Sequence, residues 1–174
     1  DKTLHTLTQL STLYTTQEKF TEAQQAAAEA LTLASQLGDI TQEQALRQQN
    51  ADLHKALALQ SYQEELAIWR ALADQTQEGT TLHNIGLLLQ TMEQYNEALI
   101  TFNDERLLWR ALDNRAAEAE AYYSLAVIYI LTVQTAPALD TLDRALVTAQ
   151  AAGDQRLQAK ILSKQGDLYQ TTAD

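Results

Sequence analysis

The stretch that decides the fold is Leu82–Asn114, which reads LHNIGLLLQTMEQYNEALITFNDERLLWRALDN. Gly86 lies within its first apolar run and Ala98 within its second. Forty residues along the chain, Ala126 and Ala138 occupy the corresponding positions. Such recurrence predicts an array of helical repeats, because a single helix pair cannot bury its apolar stripes alone and needs the next pair to cover them.

The composition predicts an all-α protein. Of 174 residues, 45% are hydrophobic, only one is proline and five are glycine, while Ala, Leu, Gln and Glu are abundant. The net charge of -11 argues against nucleic acid and against an anionic membrane surface, since both need clustered Lys and Arg. We therefore expect a protein or peptide partner, and a neutral or basic one.

Cysteine is absent, which excludes disulfides, thiolate metal sites and cysteine nucleophiles. No apolar run is long enough to cross a membrane, and the start at Asp1 does not resemble a signal peptide. Because Asp1 replaces an initiator Met, we interpret the sequence as a mature form or a piece of a longer protein. The compartment is not determined by these features, although the cytoplasm is favoured.

The repeat spacing predicts one domain, 1–174. Trp69-Arg70-Ala71-Leu72 recurs 40 residues later as Trp109-Arg110-Ala111-Leu112. The predicted repeats cover about 3–38, 40–74 (degenerate), 79–113 and 115–153, and a capping or half-repeat helix covers about 155–171. Gly86 and Gly166 are expected where helices pack closely, and Gly79 in a loop.

Repeat two leaves two alternatives open. A turn at Asn50-Ala51-Asp52 would divide residues 41–73 into two helices, but no Gly or Pro lies between Ile40 and Glu78 to enforce it. One long helix would instead leave an apolar face unpaired and favour a dimer or a domain swap. Leu46 replaces the small residue expected in this repeat.

These patterns resemble the tetratricopeptide repeat family, in the longer variety of about 40 residues found in kinesin light chains and bacterial regulatory proteins. Asn84-Ile85-Gly86 matches the Asn-Leu-Gly of that variety. The resemblance implies a right-handed α-solenoid of antiparallel helix pairs that acts as a protein-interaction scaffold. It also implies that the first helix of each repeat lines a concave groove.

Carried over position by position, the resemblance predicts a peptide-binding groove with Asn84 bonding to the peptide backbone. Lys160 and Lys164 also match part of the family's carboxylate clamp, which hints at an acidic contact near the C-terminal end. The full predicted lining is Gln9, Thr12, Arg47, Asn50, His83, Asn84, Leu87, Gln90, Tyr123, Ser124, Val127, Lys160 and Lys164.

Two glutamates depart from the family pattern. Glu65 and Glu105 occupy packing positions that usually hold Ala or Ser, and each has a Trp four residues later. We expect them to be half-buried and hydrogen-bonded, since a buried carboxylate needs partners; the alternative is a polar anchor for a ligand.

No motif indicates catalysis. The histidines lack metal-ligand spacing, no glycine remains for a phosphate-binding loop, and no serine lies in a nucleophile elbow. We therefore predict no metal, no cofactor and no enzymatic activity. The expected function is a non-catalytic scaffold that binds a peptide or partner surface. The alternative is a self-associating module, dimeric through repeat two or the C-terminal helix, or a regulatory part of a larger protein.

Overall fold

The computed structural model describes the backbone of residues 2–173 and the side chains of residues 2–171. All the elements in this part of the chain are α-helices, as the composition predicts. They are α1 (Lys2–Thr16), α2 (Phe20–Leu37), α3 (Ile40–Leu72), α4 (Gln75–Thr91), α5 (Tyr95–Ala111), α6 (Arg115–Leu131), α7 (Thr135–Ala152) and α8 (Gln155–Ala173). None of these helices combines the length and the apolar character that a membrane span requires.

The chain divides into two compact units, and the division falls within α3, between Ser61 and Tyr62. In the first unit, α1 and the first part of α3 pack against the alanines of α2. Leu46 of α3 contacts the cluster around Ala30 and Ala34. These small side chains let the helix backbones approach closely.

The second unit contains the rest of α3 and α4 to α8. Consecutive helices from α4 to α8 pack against one another across short turns, so neighbours run antiparallel. One core cluster joins α6, α7 and α8 and consists of Ala119, Ala126, Leu142, Ala145, Ala149, Leu157 and Ile161. Stacking against the next helix thus buries each apolar stripe.

The same turn recurs every 40 residues in this unit. Ala73 and Asp113 adopt positive φ angles of 55° and 52°, which reverse the chain after α3 and α5. The next residues, Asp74 and Asn114, cap α4 and α6. Oδ1 of each accepts a hydrogen bond from the backbone N–H three residues later. The repeat therefore extends to the chemistry of its turns.

The turn predicted at Asn50-Ala51-Asp52 is wrong, and the alternative of one long helix is confirmed, because α3 is continuous over 33 residues. Comparison with the next repeat gives the reason. Gly86 of α4 packs against Phe102 of α5, whereas the residues 40 positions earlier are Leu46 and Tyr62, which are too bulky to meet in that way.

A second pair reinforces this effect. His83 bonds to Glu105 between α4 and α5, whereas the residues 40 positions earlier are two acids, Glu43 and Glu65. Folding the first part of α3 back onto the second in the register of the next repeat would therefore combine steric overlap with repulsion between like charges. One continuous helix avoids both.

The glycines differ from expectation at two positions. Gly79 lies inside α4 and not in a loop, and it is buried against the indole ring of Trp109. Gly86 packs against Phe102, as predicted. The prediction for Gly166 is wrong, because a Cβ atom there would meet no described atom within 4 Å.

Candidate functional site

The polar centre of the second unit is Glu105, whose side chain is buried between α4 and α5. Glu105 is 2% exposed and accepts hydrogen bonds from the indole Nε1 of Trp109 at 3.1 Å and from Nδ1 of His83 at 3.1 Å. The expected hydrogen bonding is thus present, but burial is complete instead of partial. These bonds compensate the carboxylate for its lost hydration.

The histidine of this pair is half-buried and lies at the surface of the repeat. The hydrogen bond to Glu105 is the main cause that raises the pKa of His83 above its usual 6.5, and the charges of Glu105 and Glu120 add to it. Burial and the charge of Lys160 oppose the rise. His83 is therefore cationic over a wider pH range than a solvated histidine.

The next two first helices of the array, α6 and α8, place further charges near His83. The Lys160 ammonium lies 4.1 Å from the centre of the Tyr123 ring and 3.9 Å from Oε2 of Glu120. Burial is the main cause that raises the pKa of Tyr123, and the charges of Glu120 and Asp167 contribute. Tyr123 therefore stays a neutral hydroxyl that can donate and accept.

We call His83, Glu120, Tyr123 and Lys160 the α4–α6–α8 face. Three of these four residues belong to the predicted groove, and the structure brings them together on one side of the second unit. Glu120 was missed by the sequence reasoning. The signal for it was its place one helical turn before the predicted residues Tyr123 and Ser124.

The other predicted residues of this unit are placed unevenly. Leu87 is exposed, whereas Asn84, Gln90 and Val127 are half-buried. Nζ of Lys164 lies 3.7 Å from Oδ2 of Asp167. Ser124 is buried, with 7% of its surface exposed, so little of it is available to a ligand.

The predicted residues of the first unit do not line one common groove. Thr12 lines an open groove of about 450 Å³ between α1 and α3, together with Thr15, Thr16 and Leu53. Gln9, Arg47 and Asn50 are not among the groove's lining residues; Arg47 instead pairs with Glu43. The buried Oδ1 of Asn50 accepts no hydrogen bond from the described residues.

The second part of α3 carries a face that is less covered than its counterparts. Four positions are buried in α2 (Ala23, Ala27, Ala30, Ala34), in α5 (Ala98, Phe102, Glu105, Trp109) and in α7 (Ala138, Leu142, Ala145, Ala149). Their counterparts in α3 are Ala58, Tyr62, Glu65 and Trp69, and all four are half-buried. We call the three of them that belong to the second unit, Tyr62, Glu65 and Trp69, the α3 face.

The chemistry available at the α4–α6–α8 face is recognition by charge and hydrogen bonding. It offers an ammonium, an imidazole whose pKa is raised, a phenol and a carboxylate. Across the described residues, no group of three or more His, Asp or Glu side chains is placed to bind a metal ion.

The sequence matches a known family over part of its length. Residues 77–151 match the family described as tetratricopeptide repeat, and the predicted resemblance is confirmed. This segment contains α5 and α6 complete and most of α4 and α7. No curated protein matches the chain.

Three solved structures share the fold at low sequence identity. Aspartyl phosphate phosphatase F from Bacillus subtilis is 19% identical with a TM-score of 0.59, over 92% of this chain and 43% of its own. A signal transduction ATPase with a tetratricopeptide repeat sensor, from Pyrococcus horikoshii, is 17% identical with a TM-score of 0.56. The match covers 92% of this chain and 26% of the ATPase.

The third is a Rap protein complexed with competence and sporulation factor, 16% identical with a TM-score of 0.54, over 97% of this chain and 54% of its own. This chain thus spans about half or less of each of these three structures. Together with the repeat match, they confirm the predicted tetratricopeptide-like α-solenoid.

Proposed function

We propose that the tetratricopeptide repeats of this chain form a non-catalytic scaffold that binds a peptide segment of a partner protein along the α4–α6–α8 face. The observation that carries this proposal is the convergence of Tyr123, Lys160, Glu120 and His83 from three successive first helices. A single core would not need these groups so close together, whereas a ligand lying across the three helices would meet them all.

The similar structures support a binding role. One is a Rap protein complexed with competence and sporulation factor, and another carries its repeats as a sensor. A third is named a phosphatase, but this chain spans 43% of it at 19% identity, so the likeness carries the fold and not the activity.

The face also determines the kind of ligand that fits. Asn84 is half-buried on α4 beside His83, and its amide can both donate to and accept from a peptide backbone. Glu120 favours a neutral or basic side chain, while Lys160 and, when protonated, His83 suit a carbonyl or a terminal carboxylate. The proposed ligand is therefore an extended segment without a strong negative charge.

Peptides selected from a random displayed library on the full chain would test this proposal. We expect the selected sequences to be neutral or basic and their affinity to fall about tenfold in Asn84→Ala and in Lys160→Ala, which corresponds to one lost hydrogen bond to a charged or buried group. Lys19→Ala removes a lysine from the first unit and serves as the matched control. Unchanged affinity in both Asn84→Ala and Lys160→Ala would refute binding along the α4–α6–α8 face.

The melting temperature distinguishes lost contacts from lost folding. Lys160 is half-exposed, and the side-chain amide of Asn84 makes no hydrogen bond to the residues whose side chains are described, so neither variant should unfold the chain. We expect both variants to melt within about 2 °C of the parent protein, which is the shift that a change of about 0.5 kcal/mol produces.

A second candidate function is self-association, and the α3 face specifically favours it. Tyr62 and Trp69 are half-buried where the matching residues of α5 and α7 are buried, so this face has apolar surface left to cover. The occupant we propose is the same face of a second copy. Exchange of the first part of α3 in the register of the next repeat is disfavoured, since Leu46 would again meet Tyr62.

Light scattering over a concentration series tests the dimer. A mass of twice 19.4 kDa that falls on dilution is expected for the parent chain. Tyr62→Glu should give a monomer, while Ser61→Glu, an exposed neighbour, should leave the dimer intact. A mass of 19.4 kDa at every concentration would exclude this candidate and leave the peptide-binding scaffold untouched.

A further inference from the structure

A second surface of the second unit concentrates positive charge in a strongly acidic protein. Two adjoining grooves of about 420 Å³ and 350 Å³ lie between α5 and α7, with residues of α6 between them. They share Arg110 and Tyr122. Four of the chain's 12 lysine and arginine residues line them, and we call this surface the arginine groove: Arg106, Arg110, Arg115 and Arg144 around Tyr122.

Tyr122 organises the centre of the arginine groove. The guanidinium carbon of Arg106 lies 5.1 Å from the centre of the Tyr122 ring, and Nη1 of Arg106 lies 3.4 Å from the Tyr122 hydroxyl. Arg106 also donates to Oδ1 of Asn103 at 2.8 Å. Its partners are thus neutral groups, which orient the guanidinium without cancelling its charge.

The acids around the groove neutralise only part of its charge. Asp140 pairs with Arg144 at 2.9 Å, and Asp113 lies 3.5 Å from Arg115. All four of these side chains are more than half exposed, so both pairs are weak and a ligand can displace them. Glu118 lines the groove as well but forms no ion pair with the described arginines.

The preceding repeat shows what the groove lacks. Forty residues before Arg110 and Glu118 stand Arg70 and Glu78, and these two form an ion pair at 2.8 Å. The guanidinium of Arg110, by contrast, makes no hydrogen bond or ion pair with any residue whose side chain the structure describes. The same pair of residues is therefore closed in one repeat and open in the next, which leaves the Arg110 guanidinium available.

We propose that the arginine groove binds an acidic segment of a partner protein, whose Asp and Glu carboxylates take the fork-like donors of Arg106 and Arg110. Arginine suits this role because its planar donors match a carboxylate in pairs. The phenol of Tyr122 offers one further hydrogen bond at the centre. This binding surface goes beyond the proposed peptide groove, because it is formed by different residues and selects the opposite charge.

The net charge of -11 does not oppose such local binding. At physiological salt, exposed charges more than about 8–10 Å apart are largely screened, so the nearby arginines dominate the field that the ligand meets. The same net charge disfavours a long polyanion such as nucleic acid, whose phosphates would extend beyond the groove onto acidic surface.

Fluorescence anisotropy with a labelled 12-residue peptide, Glu at alternate positions and Ser between, tests the proposal on the full chain. We expect saturable binding that weakens about tenfold in Arg110→Ala and in Arg106→Ala, and that weakens as salt is raised. The same peptide with Gln in place of Glu should not bind.

Matched controls separate the arginine groove from general charge effects. Arg156→Ala removes an arginine on α8 that does not line either groove, and it should leave the affinity within about twofold. Lys160→Ala should also have no effect, which keeps this test independent of the α4–α6–α8 face. The proposal is overturned by an absence of binding up to about 1 mM peptide, by equal weakening in Arg156→Ala, or by tighter binding of a single-stranded DNA of equal charge.

Discussion

The packing of Gly86 against Phe102 permits a quantitative test of the repeat architecture. Phe102 is fully buried in α5, so its ring has no solvent into which to move. In Gly86→Ala, the added Cβ would lie 2.7 Å from Cδ1 and 2.8 Å from Cζ of Phe102. Nonbonded carbon atoms prefer separations of about 3.5–4.0 Å, so the new Cβ atom would overlap the Phe102 ring by about 1 Å.

The magnitude follows from two opposing effects. Overpacking of this kind costs about 1–3 kcal/mol, while alanine gains up to about 1 kcal/mol over glycine in a helix. We expect a net loss of about 1–2 kcal/mol, which lowers the melting temperature by about 2–8 °C in a chain of this size. Far-ultraviolet circular dichroism during heating measures the shift.

Two further variants make the test specific. Gly166→Ala adds the same methyl group inside α8 where no described atom lies within 4 Å, so it should raise the melting temperature by about 2–4 °C. The double variant Gly86→Ala with Phe102→Leu copies the Ala126 and Leu142 pair of the next repeat, and it should recover most of the loss. Stabilisation by Gly86→Ala alone would refute the packing argument.

Three other predictions follow from contacts of single residues. In urea unfolding, Glu105→Ala should cost about 2–4 kcal/mol because it leaves the buried indole N–H of Trp109 unpaired. Glu65→Ala, at a half-buried position, should cost less than about 1.5 kcal/mol, and equal costs would contradict this reasoning. The pKa of His83 is raised in the folded state, so its pairing with Glu105 stabilises the fold fully below pH 6.5 and loses this effect as the pH rises through the raised pKa. The difference in unfolding free energy between the parent chain and His83→Gln should therefore shrink from about pH 6 to about pH 8, and growth of this difference would contradict the argument. Ala51→Pro should cost about 3 kcal/mol and Ala51→Gly about 1 kcal/mol, since the residue lies inside one continuous helix; a neutral proline would show a turn instead.

The repeats from α4 to α8 were predictable because small and aromatic residues recur every 40 positions and local turn chemistry agrees with them. Repeat two was harder, since Asn50 and Asp52 are typical turn residues when judged locally. What decides against a turn there is the packing that the turn would impose, because it would place Leu46 opposite Tyr62 and Glu43 opposite Glu65. Such conflicts appear only when one repeat is superimposed on another.

The candidate site was predictable to a similar degree. His83, Tyr123 and Lys160 were predicted from their places on first helices, and the structure brings them together. The arginine groove was not predicted, because the groove prediction considered only the first helix of each repeat. Arg106 and Arg110 lie four residues apart on a second helix, and that spacing was the available signal.

The two tryptophans of this chain occupy equivalent places in unequal surroundings. Trp109 is 5% exposed and Trp69 is half-buried, although each donates its indole N–H to the glutamate four residues earlier. Their fluorescence should therefore differ, with Trp69 emitting at longer wavelength and yielding more readily to acrylamide quenching. The Trp109→Phe variant thus provides an intrinsic optical reporter for whatever comes to cover α3, without any attached dye.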